Sequence, residues 1–262
     1  MSETTPLDIA HAAMEAAPDD DTLRLRFYER LADGELFLAL DSEPGAAEIA
    51  PTIFPAEGAR FALVFDREDR LAAFAEGEAP YAVLSGRGLA AMLAGQGIGL
   101  AVNPGVASAI LIPAAAVDWL AGTLAEAPRE VEEVPEELTA PAGLPEALIA
   151  ALDTKLATAR GLARFAYLCG VTYAGGRRSH LLAFIDPVPG AEPALARAAG
   201  EALTFSGIEA GVMDVGFFRA SDPVAARLAK AGLRFDLPVP DSPARGQCAA
   251  PGMDPDAPPR LR

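Results

Sequence analysis

The chain reads as an α+β protein: two small mixed α/β-sheet units joined by an acidic, proline-rich linker and followed by a tail. Three observations lead there. Short apolar runs of strand type cluster, and helical runs follow them, without the regular strand–helix alternation of a doubly wound sheet. Charge is uneven: residues 1–125 hold 7 basic and 19 acidic side chains, 126–143 hold 1 and 6, and 144–262 hold 13 and 12. Prolines gather at Pro128, Pro135 and Pro141, and seven more fall in the last 25 residues, from Pro238 onward. The expected units are therefore 1–125, a linker 126–143, a second unit 144–237, and a disordered tail 238–262.

Local signals order the elements. Residues 7–17 form an amphipathic helix with Leu7, Ile9, Ala10 and Met14. Asp19, Asp20 and Asp21 offer caps for a second helix to about residue 32, with Leu23, Phe27 and Leu31 on one face and Gly34 at its C′ position. Strands are expected at 35–41, 49–54 and 60–65. Asp66 would cap a helix to about 75. A strand at 81–84 leads into Ser85 and a helix 88–94. Strands at 98–102 and 108–112 flank Asn103-Pro104-Gly105, and Pro113 opens a helix carrying Trp119. Within the linker, 131–134 offers one strand-like contact. In the second unit, Leu148, Leu152 and Leu156 mark a helix face. Strands at 164–173 and 178–186 surround Gly175-Gly176, a hairpin signal. A helix 193–205, a strand 211–218 and a helix ending near Gly232 complete the unit.

Composition excludes several functions. A formal charge of −16 and a pI near 4.5 leave no basic face for nucleic acid and no attraction to anionic lipid. Residues 1–18 lack the basic region of a signal peptide and contain Asp8 and Glu15. The uncharged run between Arg87 and Asp118 has the length of a membrane span. Its glycines, Pro104, Pro113, Gln96 and Asn103 mark it instead as the buried centre of a soluble unit. Cys169 sits in an apolar run and Cys248 in the tail, settings too different for pairing, which suits a reducing cytoplasm. His11 and His180 are the only histidines, and neither CxxC nor HExxH occurs, so no metal or cofactor is expected.

Four constellations remain. Gly86-Arg87-Gly88-Leu89-Ala90-Ala91 has the Gly-x-Gly-x-x-Ala form between strand and helix. No Asp or Glu lies between Glu78 and Asp118 to hold a ribose, so it reads as a glycine-eased turn. Gly95-Gln96-Gly97-Ile98-Gly99 lacks the Lys-Ser/Thr of a P-loop. A two-residue turn at Gly175-Gly176 would set Tyr173 opposite Arg178, Val171 opposite His180, Cys169 opposite Leu182 and Tyr167 opposite Phe184. His180 would then share a face with Cys169, and a Cys–His dyad is geometrically thinkable; the plainer reading is an apolar face with an inert thiol. Arg177, Arg178 and His180 beside Tyr173 form a small basic tip, a candidate contact for a carboxylate or an acidic partner. No residue is assigned a catalytic role.

The residue order around 35–41, 60–66, 81–84, Leu100-Ala101-Val102-Asn103-Pro104-Gly105 and 113–119 resembles the N-terminal domain of the SseB family, bacterial proteins named for enhanced serine sensitivity. The family typically carries a Leu-Asn-Pro-Gly-like turn, where this chain has Val102 before Asn103, Pro104 and Gly105. It often has Phe-Thr at the strand-to-helix junction, here Phe65-Asp66. Residues 144–237 look like the family's C-terminal domain. The resemblance implies a cytoplasmic protein with no established reaction or cofactor, and it transfers no catalytic residue. The expected function is therefore non-enzymatic, through contacts with a protein partner not yet identified, with no nucleic acid and no membrane. The alternative is a small-molecule sensor or enzyme for an amino acid or nucleotide, using the Gly86–Ala91 region or the Arg178/His180 face. Oligomeric state is left open.

Overall fold

In the computed structural model, which describes residues 4–42, 49–56, 58–125, 135–207 and 213–238, the strand-type runs assemble into two mixed sheets. The first unit runs α1 (Pro6–Ala16), α2 (Asp21–Asp33), β1 (Glu35–Ala39), β2 (Ile53–Ala56), β3 (Ala59–Phe65), α3 (Glu68–Phe74), β4 (Tyr81–Ser85), α4 (Gly86–Leu93), β5 (Ile98–Val102), β6 (Ile110–Ile112) and α5 (Ala114–Ala125). Its sheet order is β4-β1-β3-β5-β6, and β2 also pairs with β3. Only β3 and β5 are parallel; the other pairs are antiparallel. Alternation sorts the side chains. Leu36, Leu38, Val64, Leu100 and Val102 pack against Leu7 of α1, Phe27 of α2, Leu89 of α4 and Leu120 of α5. The opposite face holds Phe61, Leu63, Phe65 and Ala101, joined by Leu71 of the short α3.

The second unit runs β7 (Pro135–Thr139), α6 (Glu146–Thr158), β8 (Phe165–Tyr173), β9 (Arg178–Ile185), α7 (Glu192–Phe205), β10 (Met213–Phe218), α8 (Pro223–Ala231) and β11 (Leu233–Asp236). Its order is β10-β9-β8-β11, with β7 pairing along β8 as well. Leu168, Leu182 and Phe184 face α6 and α7, where Leu148, Leu152 and Leu195 close the core. Cys169, Val171, Leu181 and Ala183 face α8 through Ala225 and Leu228. Both faces of the central hairpin are therefore covered, as its continuous apolar run requires. The units touch directly: Phe205, the last residue of α7, lies in the core of the first unit. Its ring sits edge-on to Trp119, which in turn meets Tyr28.

The α+β class stands, and several local expectations are corrected. The hairpin turn contains three residues, not two. Tyr173 and Arg177 are joined by a backbone hydrogen bond, and Gly175 and Gly176 both take positive φ (99° and 84°). That extra residue moves the register by one: Cys169 opposes Leu181, Leu168 opposes Leu182 and Gly170 opposes His180. Because side chains alternate, the shift puts His180 and Cys169 on opposite faces, and the dyad does not exist. Asp66 does not cap α3; the N-cap is Arg67, without a side-chain bond, and the Asp66 carboxylate is used elsewhere. Gly34 ends α2 in an extended conformation (φ −73°, ψ 152°), not the left-handed one of a C′ glycine. Within the segment read as linker, 135–139 is strand β7 of the second sheet. The contact expected at 131–134 and the tail beyond residue 238 lie outside the described residues.

Cys169 is fully buried, its Sγ 3.8 Å from the Leu181 carbonyl oxygen, and burial pushes the thiol up to about 11. The native protein should leave Cys169 unlabelled by a thiol reagent at neutral pH and release it only on unfolding. Mass mapping after timed labelling checks this; rapid native labelling of Cys169 would contradict the packing.

Candidate functional site

The densest charged constellation lies where the units meet. Asp33 at the end of α2 and Arg87 in the first turn of α4 come from the first unit; Lys155 of α6 and Glu201 of α7 come from the second. Lys155 Nζ donates to Asp33 Oδ2 at 2.7 Å and to Glu201 Oε2 at 2.6 Å. Arg87 Nη1 donates to Glu201 Oε1 at 3.0 Å, and Nη2 donates to Asp33 Oδ1 at 2.7 Å. Two cations and two carboxylates thus close a ring in which Lys155 and Glu201 are buried. Burial alone would raise the Glu201 pKa, but hydrogen bonds from Arg87 and Lys155 outweigh it and hold the carboxyl below its ordinary value. Glu29, also buried on α2, is pushed the other way by desolvation, and its Oε1 has no hydrogen-bond partner among the described residues. The ring joins the two units, and each of its four side chains is engaged with the others.

A second polar cluster surrounds Asn103, where the parallel strands β3 and β5 end. Asn103 takes φ 51°, is fully buried, and accepts from the Asp66 N–H at 3.0 Å while donating to Ser108 Oγ. Ser108 Oγ donates to Asp8 Oδ1 at 2.6 Å. Arg70 places its guanidinium fork on Asp8 at 2.8 and 2.6 Å and reaches Asp66 Oδ1 at 2.8 Å. Thr5 Oγ1 donates to Asp66, and Thr5 with Asp8 forms the capping box of α1. The Arg70 hydrogen bond, against the opposing effect of burial, holds the Asp8 carboxyl well below the usual range. The Asn103-Pro104-Gly105 turn therefore belongs to a brace that ties α1, α3 and both strand ends together.

The basic tip is split by the corrected register. Tyr173 is buried and its hydroxyl donates to Asp214 Oδ2 at 2.9 Å; Arg177 lies over the Tyr173 ring at 4.3 Å and pairs with Asp214 at 3.2 Å. His180, on the other face, donates from Nε2 to the Ala142 carbonyl at 3.0 Å. Arg178 is exposed. The Gly86 region is packed shut: a Cβ on Gly86 would stand 1.8 Å from the Leu31 carbonyl oxygen, and Leu89 and Ala90 are fully buried. The glycine serves close approach of α4 to α2, not a phosphate. A shallow groove lies between α6 and β11, lined by Glu146, Ile149, Asp153, Leu233, Arg234 and Phe235.

Among the described residues, the first sheet carries a group of exposed apolar side chains on one face. Four helices pack on one face, while α3 alone contributes to the core on the other. On that second face Val83 is 45%, Leu111 41% and Phe54 44% exposed, and Phe74 of α3 is 44% exposed. Cross-strand pairs link them inward: Val83 opposes Phe37, Leu111 opposes Ala101 and Phe54 opposes Phe61. Exposed Glu35 shares this face of β1, and Glu68 binds the Tyr81 hydroxyl at its margin.

Sequence reasoning singled out Asn103 and the tip but missed Asp8, Arg70, Lys155 and Glu201. A signal existed. Lys155 sits within the Leu148, Leu152, Leu156 stripe and Glu201 between Ala199 and Ala202, charged residues at core positions of amphipathic helices.

Two outcomes follow from these clusters. Lys155→Met, which leaves the Glu201 and Asp33 carboxylates held by Arg87 alone, should cost about 3–5 kcal/mol. Lys155→Met/Glu201→Gln together should recover much of that, and Trp119 emission, beside Phe205, should shift only in the single variant. Equal stability of wild type and Lys155→Met in urea would remove the ring from the account. At the turn, Asn103→Ala should cost more than Asn103→Gly by about 1–2 kcal/mol, because both lose the side-chain bonds but only alanine resists positive φ. Chemical denaturation of the pair checks the difference.

No curated protein and no solved structure matches the chain. Residues 10–119, from within α1 to Trp119 of α5 and so taking in the whole first sheet but none of the second, match the family model of the SseB protein N-terminal domain.

Proposed function

We propose that this protein is non-enzymatic and acts by holding a protein partner on the uncovered face of its first sheet. The single observation that supports the reading is the group of exposed Phe54, Phe74, Val83 and Leu111 on one face of the SseB-type unit. The charged clusters at the unit contact and at the Asn103 turn are engaged in internal hydrogen bonds, which leaves this face as the broad feature turned outward. Exposed Glu35 and a surplus of twelve acidic charges over residues 1–125 suit a partner whose apolar segment is flanked by Lys or Arg. In this reading the second unit is the SseB-like C-terminal counterpart, fixed by the ion ring so that the pair presents one surface, and the protein works in the cytoplasm.

The test compares wild type with Val83→Asp/Leu111→Asp, substitutions at exposed positions that should change stability by no more than about 0.5 kcal/mol each. Crosslinking in the native cell should recover a partner with a basic, apolar segment from wild type and not from the variant, and a synthetic peptide of that segment should bind the pure protein. A thermal-shift screen with amino acids and nucleotides runs beside it. A ligand at 100 times its dissociation constant would add about 2.7 kcal/mol, and loss of that gain in Arg234→Ala would favour a small-molecule site in the α6–β11 groove, apart from the Gly86–Ala91 and Arg178/His180 regions first considered. Turnover by the pure chain would overturn the proposal.

A further inference from the structure

The second sheet ends in a strand that lacks the devices by which edge strands avoid pairing. β10 lies parallel to β9 over all six residues, from Met213 opposite His180 to Phe218 opposite Ile185, and no described strand pairs with its outer edge. The other border of the sheet is protected: β7 carries Pro135, Glu136 and Glu137, and β11 carries Arg234 and Asp236. β10 reads Met-Asp-Val-Gly-Phe-Phe, with no proline and no basic residue. Its one charge, Asp214, is already met by the Tyr173 hydroxyl and by Arg177 of its own unit. Met213, Val215 and Phe217 pack on the α6–α7 core but are only partly buried, whereas Leu182 and Phe184 one strand inward are fully buried.

We propose that the chain forms a two-fold dimer by antiparallel pairing of β10 with β10 of a second copy, centred on Val215. A two-fold axis through the sheet keeps each face on its own side only when the paired residue numbers add to an even sum. Centred on Val215, the pairing sets Val215 against its own copy and Met213 against Phe217 of the partner, both apolar pairs on the core face. On the other face Asp214 meets Gly216 of the partner, whose missing side chain leaves room that Phe218 already uses: a Cβ there would stand 2.8 Å from the Phe218 ring. Centring on Gly216 would oppose Asp214 to Phe218, a poorer match. Charge selects a second copy here over pairing through β4, the edge of the first sheet. Residues 144–262 carry 13 basic and 12 acidic side chains, so two such units meet without net repulsion, while two first units would bring together 19 acids against 7 bases each.

The full chain should elute from size exclusion with a light-scattering mass twice 27.1 kDa, and Val215→Lys, which sets two ammonium groups across the axis, should halve it. A pair of cysteine variants keeps the test informative if that variant misfolds. In a Cys248→Ser background, Val215→Cys should form a disulfide-linked dimer on mild oxidation, because the residue faces itself. Phe217→Cys, which faces Met213 of the partner, should crosslink far less. A wild-type mass of 27.1 kDa at high concentration, a dimer that survives Val215→Lys, or equal crosslinking at both cysteine positions would each overturn the proposal.

Discussion

The contact between the two units depends on a closed ring of opposite charges, and its composition explains what the contact can and cannot do. Lys155 and Glu201 belong to one unit and lie 2.6 Å apart; Arg87 and Asp33 belong to the other and lie 2.7 Å apart. Each unit therefore brings a pair that is neutral by itself. Docking the two pairs adds the crossed bonds, Lys155 to Asp33 and Arg87 to Glu201, against the cost of taking Lys155 and Glu201 out of water and partly desolvating Asp33 and Arg87. The ring consequently fixes orientation more than it supplies affinity. Affinity has a plainer source in Phe205, which completes the apolar core of the first unit and meets Trp119.

The same logic governs the Asn103 turn at smaller scale. Parallel strands β3 and β5 must part where their chains turn away, and the backbone groups there lose their ladder partners. Asn103 replaces one of them: its side-chain oxygen takes the Asp66 N–H, while its own N–H goes to the Val64 carbonyl. The price of the positive φ is lowest for Asn among non-glycine residues, and Asn alone also supplies the bridging amide. Arg70 and Asp8 then join the first helix to this point, so a short family-type motif acquires its meaning only from residues distant in sequence.

Much of the fold was legible because period and punctuation carry it. The changes from helical to alternating pattern near Glu35, and back near Ser85, coincide with real element boundaries. What was not legible depended on single residues. Counting Ala174 into the turn with Gly175 and Gly176 moves every residue of β9 against β8 by one place and carries His180 away from Cys169. No local preference distinguishes the two turns, since both accept two residues at positive φ. Asp66 after a strand satisfies every sequence criterion for an N-cap, yet Arg70 and Thr5 compete for its carboxylate and win through contacts invisible in one dimension. The same shift divides the tip residues between the two faces of the hairpin, with Tyr173 and Arg177 on one and His180 on the other. The ring escaped notice because a lone Lys or Glu within an apolar stripe identifies a buried charge without naming its partner.

The Gly-x-Gly-x-x-Ala segment shows how one pattern can answer two different constraints. In a dinucleotide site the missing side chain admits a phosphate; here it admits another helix, since a Cβ on Gly86 would collide with the Leu31 carbonyl oxygen and the Ala32 Cα. The Gly86 N–H donates to the Gly34 carbonyl, which fastens the start of α4 to the end of α2. That close approach sets Arg87, the next residue, where one guanidinium nitrogen reaches Asp33 on the last turn of α2 and the fork extends onward to Glu201. A larger residue at position 86 would push α4 away from α2 and draw Arg87 out of the ring. The glycine that mimics a cofactor fingerprint is thus a spacer for the interface, and the absence of any acid to hold a ribose between Glu78 and Asp118 is what that role leaves unconstrained.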